Sequence, residues 1–210
     1  MTEKNCNLYT LKNKDVKKGG SVLADAFQND PIWKIVLEKY SFELKSEFFE
    51  YAIITSLNYG KAYSPSENIE GVAAYLPSES ADLSFGKLLK NWGILKTIKI
   101  FLKMGKVMKD MMKIFDPLST DRKNNMKGKS YLYLTIIGVR TDLQGKGYGR
   151  KMLEGLIKES ESKKIPIYLE TAEAENVRMY EKFGFKLIKE ITLPIVNLPQ
   201  WEMIREPESN

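Results

Sequence analysis

The chain has 210 residues, of which 33 are basic and 27 acidic, and it contains no histidine. Without histidine, Ser–His and Cys–His nucleophile pairs and histidine metal sites are excluded, so we expect no metal and a carboxylate, tyrosine, lysine or water as any general base. The net charge of +6 could suit a nucleic acid, a membrane surface or an anionic cofactor. This modest, lysine-rich excess is also typical of plain solubility, and we expect no nucleic acid and no membrane as partner.

The length fits a single α/β domain spanning residues 1–210, with a helical insertion at about residues 83–126. No run of about 18 uncharged apolar residues occurs. Residues Met1 to Asn7 lack the apolar core of a signal peptide, and the one cysteine, Cys6, cannot form an internal disulfide. We therefore expect a cytoplasmic protein that is a monomer or a homodimer.

The first third of the chain predicts a short strand, three helices and a hairpin. The strand covers Asn7 to Leu11. Asp30-Pro31 ends the first helix and Gly60 ends the third. The predicted helices are residues 16–27, 31–40 and 43–58, and the predicted hairpin strands are residues 61–64 and 69–76.

A long helical stretch is predicted next, over Leu83 to Phe115. Loop signals at Asp116-Pro117 and Asn124-Asn125 should end it. Lysines repeat along one side of this stretch. Its apolar side would carry Leu95, Ile98, Leu102, Met108, Met112 and Phe115.

The last third alternates buried strands with helices. Tyr131 to Val139 and Ile165 to Glu170 are runs of apolar and β-branched residues, typical of buried strands. The remaining predicted elements are helices at residues 150–162 and 175–183 and strands at residues 185–193 and 200–205. Together these elements predict an α/β protein with a mixed sheet.

A glycine-rich turn joins the strand that ends at Val139 to the helix that begins at Arg150. Glycines at 145, 147 and 149 let backbone N–H groups converge, and a helix N-terminus adds partial positive charge. Such a turn can hold a phosphate or pyrophosphate, although an ordinary tight turn has the same composition. The spacing fits neither the dinucleotide fingerprint nor the Walker pattern.

The turn and two later motifs resemble the GNAT (Gcn5-related) N-acetyltransferase superfamily. Gln144 to Gly149 matches the family signature [QR]-x-x-G-x-[GA], and Tyr168 to Thr171 is similar to the family's next strand. Asn176 to Phe185 resembles the helix N-x-x-x-Y-x-x-x-G-F that follows. The resemblance implies a central, mostly antiparallel mixed sheet with splayed parallel strands, flanked by helices.

The nearest resemblance is to a branch that includes puromycin N-acetyltransferase. It rests on Ile165 to Thr171 and on Tyr180 to Phe185. That branch often has His-Trp before the first motif strand, where this chain has Lys129 and Ser130. This chain therefore departs from the branch at that pair.

The resemblance also implies acetyl-coenzyme A as co-substrate and a set of residues that contact it. The pantetheine arm would pass near Ile137 and Val139, and Asn176 would touch the cofactor. The turn that would hold the pyrophosphate comprises Gln144, Gly145, Lys146, Gly147, Tyr148, Gly149 and Arg150.

Tyr180 and Glu170 are the candidate catalytic residues. A phenol is protonated at neutral pH and can donate to a leaving thiolate, although Tyr180 could instead simply pack in the core. Glu170 ends a buried apolar strand, where a carboxylate is uncommon unless it is used, so we expect it to be the general base. A surface carboxylate or a salt bridge to Arg178 is the alternative, and Glu173 and Glu175 are rival bases.

The predicted reaction is transfer of an acetyl group to the primary amine of a small molecule by direct attack in a ternary complex, since Cys6 lies far from the motifs. The long helical stretch carries large, adaptable side chains, and we expect Trp92, Phe101 and Met108 to contact the acceptor. A plain core helix and a membrane-surface helix are the alternatives for this stretch. The alternative functions are a protein or peptide N-acetyltransferase and a non-catalytic acyl-CoA sensor.

Overall fold

A seven-stranded mixed sheet forms the centre of the structure, a computed structural model that describes residues 7–82 and 94–208. The strands lie in the order β1-β2-β3-β4-β5-β7-β6. Neighbouring strands are antiparallel except β4 and β5, which are parallel. The strands are β1 (Tyr9–Thr10), β2 (Lys61–Ser64), β3 (Gly71–Pro77), β4 (Leu132–Val139), β5 (Ile167–Thr171), β6 (Lys186–Thr192) and β7 (Pro199–Arg205). The predicted mixed α/β class is therefore confirmed.

Helices cover the sheet, and local sequence signals begin several of them. Asp30 caps α2 by accepting hydrogen bonds from the backbone N–H groups of Ile32 and Trp33, both at 3.0 Å. Ser41 caps α3 in the same way. The helices are α1 (Val16–Ala26), α2 (Pro31–Leu37), α3 (Phe42–Tyr59), α4 (Ile94–Asn125), α5 (Tyr148–Lys163) and α6 (Ala174–Glu181).

Helix α4 does not end where the sequence predicts. It continues through Pro117, where we expected a loop, and through Asn124 to Asn125. A proline inside a helix costs about 3 kcal/mol because it removes a hydrogen bond and crowds the preceding turn. Burial beyond the proline offsets this cost, since Leu118 and Arg122 are both buried one turn apart.

The apolar stripe predicted for this helix is wrong at three of its positions, whereas Met108 and Phe115 do pack against the core. Ile98, Leu102 and Met112 are exposed, with Leu102 at 83%. The buried stripe instead follows a 4-3 spacing that includes Ile100, Met104, Val107, Ile114 and Leu118. Because apolar residues occur on more than one side of the helix, the periodicity alone does not show which side faces the protein.

Strands β4 and β5 separate after a short parallel contact. Their paired residues are Leu132 with Ile167 and Tyr133 with Tyr168. Beyond these pairs, β4 runs on to Val139 along β3, with an irregular register between Ala74 and Tyr75. The separation opens a gap in the sheet between the carboxyl-terminal halves of the two strands.

Within the described residues, none of the helices has the length and apolar character needed to cross a membrane.

Candidate active site

A groove of about 650 Å³ extends from the gap in the sheet to the glycine-rich turn. Strand β4 supplies Ile137 and Val139, the turn supplies Gln144, and the start of α5 supplies Gly149 and Arg150. Asn176 of α6 lines the same groove. The structure thus brings together predicted cofactor contacts that are up to 39 positions apart in the sequence.

The glycine-rich turn fits an anionic group. Gly145 and Gly147 have φ angles of +76° and +84°, a conformation that side-chain-bearing residues rarely adopt. A Cβ placed at either position would meet nothing within 4 Å, so the space beside the backbone is open. Among the described residues, no side chain caps the first turn of α5, which leaves its N-terminal N–H groups free to bind a phosphate.

Neighbouring polar groups hold this turn in place. The backbone N–H of Thr141 donates to Asp25 at 2.7 Å, which ties the turn to the end of α1. The Gln144 amide donates to the Val139 carbonyl at 3.2 Å, and the Lys146 ammonium donates to the Asp142 carbonyl at 3.1 Å. Asp25 was missed by the sequence analysis, because its partner lies 116 residues away.

The groove is lined on this side by Gln144, Gly149 and Arg150. The residues between them, 145–148, belong to the turn and to the start of α5 but do not line the groove. Arg150 is largely exposed and forms an ion pair with Glu154 at 2.7 Å. A ligand in the groove would therefore compete with the Glu154 carboxylate for the Arg150 guanidinium.

A second, smaller cavity of about 140 Å³ lies deeper in the gap between β4 and β5. Aromatic side chains from four elements or loops form much of its wall: Phe27, Trp33, Phe115 and Tyr133. Two carboxylates, Asp30 and Glu170, also line it. This combination suits a compact cationic ligand, because aromatic faces and carboxylates both attract positive charge.

Tyr180 lies where the two cavities meet. It lines both of them, as do Asn176, Ile137, Phe27 and Asp30. Burial raises the pKa of the Tyr180 hydroxyl above its usual value, with a smaller contribution from the negative charge of Glu173. The phenol therefore keeps its proton at neutral pH.

Glu170 reaches the inner cavity with its side chain only 6% exposed. Burial raises its pKa to about 7, although the charge of Arg122 and a hydrogen bond from the Tyr133 hydroxyl both act to lower it. The salt bridge to Arg178 that was considered from the sequence is not the one observed. Arg122 Nη1 lies 3.2 Å from Glu170 Oε1 instead.

The rival carboxylates lie elsewhere. Glu173 lines the outer groove and accepts a hydrogen bond from the Asn176 amide at 3.0 Å. It is also the N-cap of α6. Glu175 is exposed in the first turn of the same helix.

The residues expected to contact the acceptor are only partly placed. Trp92 lies outside the described residues. Phe101 and Met108 pack against the core between α1, α3 and the sheet, whereas α4 meets the inner cavity through Phe115 and Leu118. Their role in acceptor binding stays a prediction.

Several lining residues were missed by the sequence analysis. Phe27, Asp30 and Trp33 come from the end of α1 and the start of α2. Gln200 of β7 also lines the inner cavity, and its Oε1 atom is buried without a hydrogen-bond partner among the described residues. The helix end predicted at Asp30-Pro31 located this segment but gave no sign that it borders a cavity.

No cluster of histidine, cysteine and carboxylate residues suited to a metal ion occurs in the described part of the chain.

Comparison with known proteins supports the motif assignment. Residues 114–185 match the model of the Acetyltransferase (GNAT) family. Over 209 residues the chain is 30% identical to the uncharacterized N-acetyltransferase C550.08 of Schizosaccharomyces pombe, with 95% of this chain and 83% of the relative covered.

Two solved structures share the fold. One is a Corynebacterium glutamicum protein described as histone acetyltransferase HPA2 and related acetyltransferase, at 18% identity and a TM-score of 0.64, with 97% of each chain covered. The other is arylalkylamine N-acetyltransferase 2 from Aedes aegypti, at 15% identity and a TM-score of 0.65, with 96% of this chain and 99% of that one covered.

The glycine-rich turn, the separated parallel strands and the relative that matches 95% of this chain all indicate the same family. Enzymes of this family use acetyl-CoA, and the open groove and free helix N-terminus found here fit its pyrophosphate. The chain belongs to the GNAT family of N-acetyltransferases.

Proposed function

We propose that the protein acetylates the primary amine of a small molecule by direct attack in a ternary complex, with Glu170 as general base and Tyr180 as general acid. One observation supports this proposal more strongly than the others. The Glu170 carboxylate lines the inner cavity, and Tyr180 lies at its junction with the outer groove. An amine in the inner cavity would therefore meet a proton acceptor on one side and a proton donor toward the cofactor.

Each of the two residues would move one proton. Bound acetyl-CoA supplies a thioester carbonyl and a thiolate leaving group. Glu170 would take a proton from the ammonium form of the acceptor, which frees the nitrogen lone pair for attack. Tyr180 would give its proton to the departing sulfur, and the second proton that the nitrogen loses as the amide forms would restore the phenol. The raised pKa of Tyr180 keeps its proton available at neutral pH.

The inner cavity supports a compact acceptor that carries a positive charge before reaction. Its volume of about 140 Å³ suits a small amine, and Asp30 and Glu170 lie among its walls of aromatic rings. Burial raises the pKa of Asp30, while its hydrogen bonds from two backbone N–H groups act to lower it.

The nearer resemblance to the puromycin N-acetyltransferase-like branch is part of this proposal and rests on the β5 and α6 motifs.

A protein or peptide acceptor is the second candidate. A peptide would need an open path along the surface for its chain on both sides of the reacting amine. The inner cavity is instead bordered by Phe27, Trp33 and Phe115, which favours a small molecule. The non-catalytic sensor is disfavoured because Glu170 and Tyr180 both lie at the expected reaction centre.

An acceptor screen separates these candidates. The purified protein is given acetyl-CoA and either small monoamines, diamines and arylalkylamines or peptides with free α- and ε-amino groups. Thiol release measures turnover, and mass spectrometry of the product locates the acetyl group. We expect turnover with the small amines. Faster turnover with peptides would establish the second candidate, and tight acetyl-CoA binding without turnover on any amine would establish the sensor.

A further inference from the structure

Arg122 is a buried cation beside the proposed reaction centre, and it comes from α4 rather than from any of the family motifs. Its side chain is only 4% exposed. Nη1 lies 3.2 Å from Glu170 Oε1, and Nη2 donates to the Ala81 carbonyl at 3.3 Å. The guanidinium also stacks over the ring of Tyr133, with its central carbon 4.1 Å from the ring centroid.

These contacts fix the guanidinium from several directions. Asp82 accepts a longer hydrogen bond from Nη2 at 3.5 Å and is itself half-exposed. The Nε atom of Arg122 is buried without a hydrogen-bond partner among the described residues. A buried cation with an unpaired donor is costly, and the contacts with Glu170, the Ala81 carbonyl and the Tyr133 ring offset part of that cost.

Glu170 faces a mixed set of charged and titratable groups. The elements packed against it are α4, β4 and β7. Glu202 on β7 is paired with it in the sheet register and opposes its ionisation. The groups that surround the Glu170 carboxylate are Arg122, Tyr131, Tyr133, Tyr168 and Glu202.

Arg122 is the positive member of this set. Burial and Glu202 both favour the neutral carboxylic acid, which could not accept a proton. The charge of Arg122 and the hydrogen bond from Tyr133 favour the carboxylate. The arginine's two-pronged hydrogen bonding also restricts the direction in which the carboxylate points, since Nη1 binds Glu170 while Nη2 binds the Ala81 carbonyl.

We propose that Arg122 is a positioning residue for acetyl transfer: it orients the Glu170 carboxylate toward the inner cavity and stabilises its ionised form. Helix α4 thereby contributes to the chemistry through its buried face near its carboxyl end. The inference rests on the proposed function of Glu170 as general base.

The test measures kcat/KM against pH for the wild type, Arg122→Met, Arg122→Lys and Glu170→Gln, with the best small amine from the acceptor screen. Loss of a nearby opposite charge raises a carboxyl pKa by about one unit or more. In Arg122→Met the acidic limb of the profile should therefore move up by about one pH unit or more. Activity at pH 7 should fall about five- to tenfold and recover at higher pH. Arg122→Lys keeps the positive charge but loses the paired N–H donors of the guanidinium. It should therefore shift the acidic limb of the profile less than Arg122→Met does.

Arg205→Met is the matched control. Arg205 is another buried arginine that lines neither cavity. It forms an ion pair with Glu161 at 2.5 Å and donates a hydrogen bond to the Phe183 carbonyl. This variant should lose stability without moving the acidic limb. If Arg122→Met does not fold, Arg122→Lys tests the orienting role by itself: because it keeps the charge, its rate should fall at all pH values with little movement of the acidic limb, and an unchanged rate and profile would overturn that role.

The outcomes separate this inference from the proposed function. If Glu170→Gln leaves the acidic limb of the wild-type profile unchanged, Glu170 is not the base and the proposed function fails at that residue. If Glu170→Gln abolishes the limb but neither Arg122 variant moves it, Glu170 is the base and the role given to Arg122 is wrong.

Discussion

Two buried side chains, Glu170 and Tyr180, are the proposed proton carriers of this site. Burial acts on both residues in the same direction and raises each pKa. The consequences differ because the starting values differ. A carboxyl group raised to about 7 can take up a proton near neutral pH, whereas a phenol raised above its usual value remains a donor.

Replacing Tyr180 by phenylalanine tests the donor. The ring packs against Phe185 and fills the junction of the two cavities, so Tyr180→Phe should leave the fold and acetyl-CoA binding intact. Without the hydroxyl, kcat should fall by roughly 10²-fold or more. Tyr75→Phe is the control, because its hydroxyl bonds Glu159 away from both cavities and its loss should spare kcat. A wild-type kcat in Tyr180→Phe would show that the thiolate receives its proton from another source.

At the scale of elements, the glycine-rich turn is the part of the site most directly prescribed by local sequence. Gly147 needs a positive φ and lies next to open space in which the cofactor's phosphates can approach the backbone. Gly147→Val would strain the turn and place a branched side chain in that space. Acetyl-CoA binding, measured by calorimetry, should weaken more than tenfold, or about 1.4 kcal/mol.

Gly128 supplies a matched control for that change. It also has a positive φ, of +76°, and a Cβ there would also meet nothing within 4 Å. It lies after α4 and does not line the groove. Gly128→Val should therefore carry the backbone strain without the loss of affinity. An equal loss of affinity in both variants would mean that strain alone, and not the approach of a phosphate, explains the effect.

We expect two residues of helix α4, Phe115 and Met108, to differ in their effect on acceptor binding. Phe115 lines the inner cavity, whereas Met108 packs against the core beneath α1 and α3. Phe115→Ala should raise the KM for the acceptor and leave the KM for acetyl-CoA unchanged. Met108→Ala is the comparison, since loss of buried methylene groups lowers stability whether or not the residue contacts substrate. A rise in acceptor KM in both variants would extend the acceptor site along the helix, as the sequence predicts.

For the whole molecule, the buried carboxyl of Glu170 makes the folding free energy depend on pH. Its pKa is about 7 in the folded protein, above the usual value of 4.5. Between these values the folded state holds a proton that the unfolded chain has released. The contribution of this group to the stability is therefore present below about pH 4.5 and is lost as the pH rises through 7.

Glu170→Gln tests this linkage. Urea unfolding at pH 5 and pH 8 should show the wild type losing stability relative to the variant by on the order of 3 kcal/mol over that range, since each pKa unit corresponds to about 1.4 kcal/mol. Glu175→Gln, which removes an exposed carboxylate from α6, should behave as the wild type. Identical pH dependence in wild type and Glu170→Gln would show that the Glu170 pKa is not raised by folding.

The sequence by itself determined the fold class, most of the strands and helices, and the position of the glycine-rich turn. These features depend on short-range signals, such as runs of apolar and β-branched residues, the helix end at Asp30-Pro31 and closely spaced glycines. Such signals are contained within one or two turns of chain. The same reasoning failed for α4, where the cost of Pro117 was outweighed by burial of Leu118 and Arg122 that no local signal reveals.

Only the tertiary structure shows which charged groups surround the proposed reaction centre. Arg122 and Glu170 are 48 residues apart, and Asp25 and Thr141 are 116 apart. No periodicity links residues at such separations, because their contact depends on how α4 and α1 pack against the sheet. Burial, which raises the pKa values of Glu170 and Tyr180, is likewise a property of the packed molecule. The sequence could therefore name the two proposed proton carriers but not the arginine that lies beside one of them.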